Sequence, residues 1–170
     1  MSDPRLPRLV YFVLLLLGLL SWARVYSDLP ALMASHFDFS GAPNGWMSKQ
    51  AFLALMFVVS ASSAVVAFFA PRQIAAKSPD RLNLPNKSYW LAPERSADTF
   101  RYITTQFAWF GCGILFVLLY GANQALNANL PGGHFDSTSM LNVIIAFVLL
   151  TVLWTFLLIR HFSRLPHSSA

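Results

Sequence analysis

A His-Phe-Asp triplet occurs twice in this chain, at residues 36–38 and at residues 134–136. Imidazole nitrogens and carboxylate oxygens are ligands that suit Zn²⁺, so two triplets on one surface would offer four ligands to one metal ion. The alternative is that these side chains cap turns and make interfacial hydrogen bonds, because the two residues of each pair are too close in sequence to define a site. The metal-site candidates are His36, Asp38, His134 and Asp136.

The elements that must position these triplets are four apolar segments without a charged residue, at about 9–23, 51–70, 104–122 and 141–159. Hydrophobic residues make up 56% of the 170 residues and charged residues only 11%, with a mean hydropathy of +0.53. Charge-free apolar segments of about 18 residues are typical of bilayer-spanning helices. The sequence therefore predicts an all-α polytopic membrane protein, with four transmembrane helices in two hairpins forming a single integral membrane domain over 1–170.

The distribution of Lys and Arg predicts how the spans are oriented. Ten of the twelve basic residues lie in the N-terminal tail, in the middle loop (71–101) or in the tail after the fourth span. Only Arg24 and Lys49 lie in the other two connections. Basic residues near span ends are retained on the cytoplasmic side, which predicts that both termini lie inside and that loops 25–50 and 123–140 face outward. Nucleic-acid binding is not indicated, because it needs a clustered basic face and the sequence shows none.

The first outward loop has local patterns of its own. Its apolar residues between 29 and 37 recur at helical spacing, which predicts a short amphipathic turn. Gly41 and Gly45 are expected to take positive φ in the turn-rich stretch that follows. Trp46 is expected to anchor the loop at headgroup depth, and Ser48 to cap the N-terminus of the second span.

The middle loop divides into two parts. Its first part, 72–81, is basic and is expected to lie against lipid headgroups. In the second part, Pro85 and Pro93 exclude one continuous helix, and Pro93 suits the first turn of the helix that leads into the third span. Tyr89 and Trp90 are expected to anchor this part at the inner interface.

Small residues in the second and third spans predict close helix packing. Ser60 and Ser63 lie on one face of the second span, and Gly111 and Gly113 lie near the middle of the third. Small faces let helices approach closely in lipid. The only cysteine, Cys112, is expected to be a small buried residue between the two glycines.

Two motifs resemble the bacterial domain-of-unknown-function 1648 family. The first runs from Leu-Pro at 29–30 through His-Phe-Asp at 36–38 to Pro-Asn-Gly-Trp at 43–46, and the second reads Asn-Leu-Pro-Asn-Lys-Ser-Tyr-Trp-Leu-Ala-Pro-Glu-Arg over 83–95. Ala34 and Asp38 depart from the family pattern, which has Pro and more commonly Asn there. The family includes SdpI-like proteins, which are longer than this chain and protect bacteria against a secreted toxic peptide. The resemblance implies a multi-pass protein of the bacterial inner (cytoplasmic) membrane.

The resemblance also implies two sets of functional residues. The outward loop would meet an extracytoplasmic peptide or envelope protein, and the middle loop would carry a cytoplasmic motif. The ligand- or partner-binding candidates are His36, Asp38, Asn44, Trp46 and Lys49. The cytoplasmic motif candidates are Asn86, Tyr89, Trp90, Pro93, Glu94 and Arg95.

The spans contain no ionisable side chain beyond Cys112 and tyrosines, which disfavours a transporter or proton pump. An intramembrane hydrolase is also disfavoured, because the sequence shows no nucleophile–His–carboxylate set at membrane depth. We therefore expect a non-enzymatic binding or sensing protein at the envelope, without a cofactor, with SdpI-like immunity as its concrete form. The alternative is a metal- or lipid-dependent envelope enzyme that uses the His and Asp residues of the triplets. The bilayer is an expected partner, and a homo-oligomer is left open.

Overall fold

The computed structural model describes residues 3–77 and 82–165, without the side chains of 75–77. Most of the chain is helical, and a two-stranded sheet interrupts the first connection. Arg81, which belongs to the basic segment expected at the headgroups, lies outside the described residues. The elements are α1 (Arg5–Val25), β1 (Leu32–Phe37), β2 (Pro43–Ser48), α2 (Lys49–Ala64), a π-helical segment (Val65–Phe69), α3 (Ala70–Lys77), α4 (Lys87–Trp90), α5 (Pro93–Ala128) and α6 (Ser137–Ser163).

Among the described residues, four helices are long and apolar enough to cross a membrane, which confirms the predicted four-span class. They are Arg5–Val25, Lys49–Ile74, Pro93–Ala128 and Ser137–Ser163. Each is longer than the charge-free segment that predicted it, because polar and charged residues continue the helix at its ends. The inside and outside assignments stay a prediction, so the two ends of the bundle are named by their elements: the hairpin end carries β1 and β2, and the termini end carries the start of α1 and the end of α6.

Helix α5 is the centre of the bundle, and α1, α2 and α6 all pack against it. Helix α1 runs parallel to α5, since the Sγ of Cys112 donates to the Pro7 carbonyl near the termini end while Gly18 lies against Leu119 farther along. On another side of α5, Gly113 lies against the ring of Phe147 in α6. Cys112 is buried, as the sequence predicts.

The closest approach between two spans lies at the π-helical segment. A Cβ built on Gly111 would collide with the Cβ of Ala67, so the two backbones meet where neither residue carries a larger side chain. A π-helical turn inside an α-helix shifts the residues after it around the helix axis. This contact confirms that a small face in the third span permits close packing.

A buried polar cluster joins α1 to α2. The Tyr11 hydroxyl lies 2.7 Å from the Ser60 carbonyl oxygen, to which it donates, and 2.6 Å from the Ser63 hydroxyl. All three residues are buried, and Ser63 also donates to the Ser60 carbonyl. Polar groups at membrane depth need internal partners because lipid offers none. The small serine face of the second span is therefore a hydrogen-bonding surface as well as a packing surface.

The prediction of a short amphipathic turn between residues 29 and 37 is wrong, because Leu32–Phe37 forms strand β1 of an antiparallel hairpin with β2. The apolar residues are at helical spacing, yet Met33 points into the bundle as part of a strand and is fully buried. Gly41 has φ +84°, as expected, whereas Gly45 does not take positive φ. Gly45 is small for another reason: a Cβ there would lie 3.0 Å from the His36 Cβ on the opposite strand. Ser48 caps α2 by accepting from the Ala51 N–H, as predicted.

The Gly111–Ala67 contact yields a stability prediction. Gly111→Ala adds a Cβ that the neighbouring π-helical segment cannot accommodate, and overpacking of this kind costs about 1–3 kcal/mol. We expect a lower melting temperature of the detergent-solubilised protein. Ala67→Gly should restore stability when combined with Gly111→Ala, because it removes the atom that collides. An unchanged melting temperature in Gly111→Ala alone would show that the two helices do not meet as described.

Candidate functional site

The hairpin end begins with a turn that Asp38 organises. One carboxylate oxygen of Asp38 accepts from the Ser40 hydroxyl at 2.6 Å, from the Ser40 N–H at 2.8 Å and from the Ala42 N–H at 3.0 Å. Gly41 supplies the left-handed residue within the same turn. The hydrogen bonds, led by that from the Ser40 hydroxyl, lower the pKa of Asp38 below its ordinary value. This exposed carboxylate is therefore ionised at neutral pH and is engaged with its own turn.

Asp136 of the second triplet has the equivalent role at the start of α6. It is the N-cap residue, and its carboxylate accepts from the Ser139 N–H at 2.9 Å. Hydrogen bonding to Ser139, first through its backbone N–H, lowers the pKa of Asp136. Both acidic members of the triplets thus make the turn-capping interactions that the sequence offered as the alternative to metal binding.

The two triplets do meet, but through their middle residues. The rings of Phe37 and Phe135 stack with centroids 4.4 Å apart and planes 9° apart. His36 and His134 are both exposed. Within residues 3–77 and 82–165, no three His, Cys, Asp or Glu side chains form a group that could hold a metal ion. The four metal-site candidates, His36, Asp38, His134 and Asp136, therefore do not assemble into one site in this structure.

Asn129, at the end of α5, fixes the hairpin to the bundle. Its carbonyl oxygen accepts from the Ala34 N–H at 2.7 Å, and its amide nitrogen donates to the Ala34 carbonyl at 2.8 Å and to the Ala125 carbonyl at 2.7 Å. The side chain thus pairs with both backbone groups of a buried strand residue, as a third strand would. Sequence reasoning missed this role, because Ala34 and Asn129 lie 95 residues apart in the chain.

Lys49 makes a second set of contacts at the hairpin end. Its ammonium donates to the carbonyls of Tyr26 and Leu29, both at 3.2 Å, and lies 4.5 Å from the centre of the Tyr26 ring. Lys49 thereby joins the start of α2 to the end of α1. The other two ligand candidates in this loop, Asn44 and Trp46, lie exposed on β2, with Trp46 57% exposed.

Beneath the hairpin lies an apolar recess of about 290 Å³, bounded by β1, α2, α5 and the start of α6. The stacked rings of the two triplets form part of its wall, so the triplets help to enclose an apolar space. Its residues include Phe37, Phe52, Met56, Phe135 and Met140, with His36 as its most polar side chain. This recess is the candidate binding site at the hairpin end.

The second sequence motif caps the last span at the termini end. Asn86 is in the left-handed conformation, with φ 51°, and its amide donates to the carbonyls of Phe162 and Ser163, both at 3.1 Å. The Trp90 indole N–H donates to the Phe162 carbonyl at 2.8 Å. The last carbonyls of a helix have no partner within it, so these side chains satisfy groups that α6 itself leaves unpaired.

The rest of this motif forms the joint that leads into α5. The Arg95 guanidinium lies 4.0 Å from the centre of the Tyr89 ring, and its Nε donates to the Tyr89 carbonyl at 2.9 Å. Pro93 is the first residue of α5 and Glu94 lies in its first turn, as predicted. All six motif residues therefore lie in one structural unit, which holds the start of α5 against the end of α6.

The profile of a family described as "Domain of unknown function (DUF1648)" matches residues 13–61, which cover most of α1, the hairpin and most of α2. No curated protein and no solved structure matches the chain. The four apolar helices indicate a multi-pass membrane protein, and residues 13–61 are similar to this family, which confirms over those residues the resemblance deduced from the sequence. The motif at 83–95 lies beyond the matched segment.

The Asn129 contacts predict that the hairpin depends on this one side chain. Asn129→Ala removes the partners of both Ala34 backbone groups, and each buried unpaired group costs about 1–3 kcal/mol. We expect faster hydrogen exchange at the Ala34 amide and at its neighbours in β1. Asn127→Ala is the matched control, since Asn127 is exposed on the same helix. Equal exchange in both variants would contradict the proposed attachment.

The Asn86 contacts predict a separate effect at the opposite end. Asn86→Gly keeps a residue that tolerates positive φ but removes both hydrogen bonds to α6, which we expect to cost about 1–2 kcal/mol. Hydrogen exchange should increase in the last turn of α6 and stay unchanged in the hairpin. Asn83→Gly serves as the control, because Asn83 is exposed in the same loop. A similar change in both variants would mean that Asn86 does not cap α6.

Proposed function

We propose that this protein is a non-enzymatic binding protein of the bacterial inner membrane, whose hairpin end faces outward and binds a secreted amphipathic peptide. Its concrete form is the peptide immunity attributed to SdpI-like proteins. The observation that carries the proposal is the apolar recess beneath the hairpin, whose wall includes the stacked Phe37 and Phe135 rings. The basic termini and middle loop support the orientation, because positively charged connections are retained inside.

The surroundings of the recess fit a peptide with one apolar and one cationic face. Aromatic and methionine side chains line it, and such surfaces adapt to apolar side chains of varied shape. Asp38 and Asp136 flank the same hairpin and are ionised at neutral pH, since hydrogen bonds lower the pKa of each. Their negative charge favours the approach of a cationic partner, more strongly at low salt than at high salt.

The positions of the polar residues favour binding over catalysis. Asp38 and Asp136 are engaged with N–H groups of their own turns, and within the described parts of the chain the exposed side chains of His36 and His134 make no hydrogen bond. A general base needs to lie within hydrogen-bond reach of the proton that it removes and is usually oriented by a third group. The envelope enzyme that uses the triplets therefore has less support than the binding protein.

Filling the recess tests the proposal. Met56 lines the recess from α2, and Met56→Trp places a larger side chain in the space that the peptide would occupy. The probe is a synthetic 18-residue amphipathic helix of Leu and Lys, titrated into the solubilised protein. We expect Met56→Trp to bind at least about tenfold more weakly than wild type, a loss of about 1.4 kcal/mol. Val58→Trp is the control, since Val58 lies exposed on the same helix.

The same titration separates binding from catalysis. His36→Gln should bind the peptide as wild type does, because a binding surface needs a polar side chain at this edge rather than an imidazole that exchanges protons. Cells that produce wild type or Val58→Trp should also survive a challenge with the peptide better than cells that produce Met56→Trp. Absence of binding by wild type, or equal binding by Met56→Trp, would overturn the proposal.

A further inference from the structure

A second groove lies outside the recess, between α1 and α2 near the hairpin end. It has a volume of about 460 Å³ and is open rather than enclosed. Its lining is almost wholly apolar, so in a bilayer it would be filled by hydrocarbon. The groove is lined by Leu19, Trp22, Ala23, Tyr26, Leu53 and Phe57.

Trp22 lines this groove, and one polar atom of its side chain has no partner. Trp22 is only 3% exposed, and its indole Nε1 makes no hydrogen bond. Among the side chains that the structure describes, this is the one buried nitrogen or oxygen without a partner. A buried donor without an acceptor is unfavourable, and the indole N–H of a tryptophan at a membrane interface ordinarily finds one. An occupant of the groove that carries an acceptor at this depth would satisfy it.

A positive charge lies at the mouth of the same groove. The Lys49 ammonium is 4.5 Å from the centre of the Tyr26 ring, and Tyr26 lines the groove. Its two hydrogen-bond acceptors are neutral carbonyls, and within the described parts of the chain its charge has no carboxylate at ion-pair distance. An ammonium has three donors, so one remains for a further acceptor.

We propose that this groove binds one phospholipid. An acyl chain fills the apolar groove, an ester carbonyl accepts from the Trp22 indole, and the phosphate lies against the Lys49 ammonium. Tyr26, the C-cap residue of α1, follows Trp22 by four residues, which separates them by about 6 Å along the helix axis. The Lys49 ammonium, beside Tyr26, therefore lies closer to the hairpin end than the Trp22 indole N–H does. The phosphate of a lipid lies beyond its ester in the same order. The assignment holds whichever side of the membrane this end faces.

Titration of a lipid into protein solubilised in a maltoside detergent, which has neither ester nor phosphate, tests the site. The probes are phosphatidylglycerol and a diacylglycerol with the same acyl chains. Bound lipid is counted by native mass spectrometry, and the indole N–H signals are followed by ¹⁵N NMR. We expect one retained phosphatidylglycerol and a shift of the Trp22 indole signal, which is assigned by its absence in Trp22→Phe.

The variants assign each part of the lipid to its residue. Trp22→Phe should weaken the binding of both lipids by about two- to tenfold, as expected for one lost hydrogen bond. Lys49→Gln should weaken the binding of phosphatidylglycerol but not of diacylglycerol. Ala23→Leu fills the groove without removing a polar group and should weaken both, so the test does not depend on a single variant folding. Trp109→Phe is the control, since Trp109 lies exposed on α5.

Three outcomes would overturn the site. Unchanged lipid binding in Trp22→Phe and Ala23→Leu would place the lipid elsewhere. Equal affinity of wild type for the two lipids would exclude the phosphate contact with Lys49. A loss of dimer mass rather than of lipid in these variants would show that a second copy of this chain covers the groove. Peptide binding in the recess is measured separately, so either proposal can fail without the other.

Discussion

Close packing against α5 holds the other spans in place. Apolar side chains are as well solvated by lipid as by one another, so spans associate through fit and hydrogen bonding rather than through the hydrophobic effect. Fit is closest where Gly111 meets Ala67 and where Gly18 meets Leu119. Helix α6 packs chiefly on α5, and most of its apolar side chains remain exposed to the lipid. The recess and the groove both depend on this arrangement. The recess lies between β1, α2, α5 and the start of α6, and the groove lies between α1 and α2, which both pack on α5.

Side chains that pair with backbone groups secure both ends of the bundle. Asn129 pairs with strand β1, Lys49 with the end of α1, and Asn86 with the end of α6. The ends of spans expose carbonyl and N–H groups close to lipid, where an unpaired group is costly. An amide supplies donor and acceptor without a charge. Two of the ligand candidates, Lys49 and Asp38, are themselves engaged with backbone groups that shape the hairpin end.

Local sequence patterns predicted local structure, but they did not predict contacts between residues that are distant in sequence. The four spans, the Ser48 cap and the start of α5 at Pro93 each depend on neighbouring residues, and all were predicted. The hairpin was not, because its apolar residues fall at helical spacing and its attachment comes from Asn129, 95 residues after Ala34.

The candidate site was predicted in part for the same reason. The repeat of the triplet is visible in the sequence, but the contact between Phe37 and Phe135 depends on how two distant loops pack. The capping role of Asn86 likewise depends on a carbonyl 76 residues away. The recess and the groove are formed by several elements together, so no single stretch of sequence could indicate them.

Helix α5 has 36 residues, which gives a length of about 54 Å, whereas the hydrocarbon of a bilayer is about 30 Å thick. The helix is therefore longer than the hydrocarbon that it crosses, and it extends beyond it. One end adjoins Asn129 and the hairpin, and near the other end the Thr99 hydroxyl donates to the Trp90 carbonyl in the joint. A rigid rod of this length that tilts by about 5° moves its far end by about 5 Å. Force applied to the hairpin thus has a mechanical route to the opposite side of the membrane.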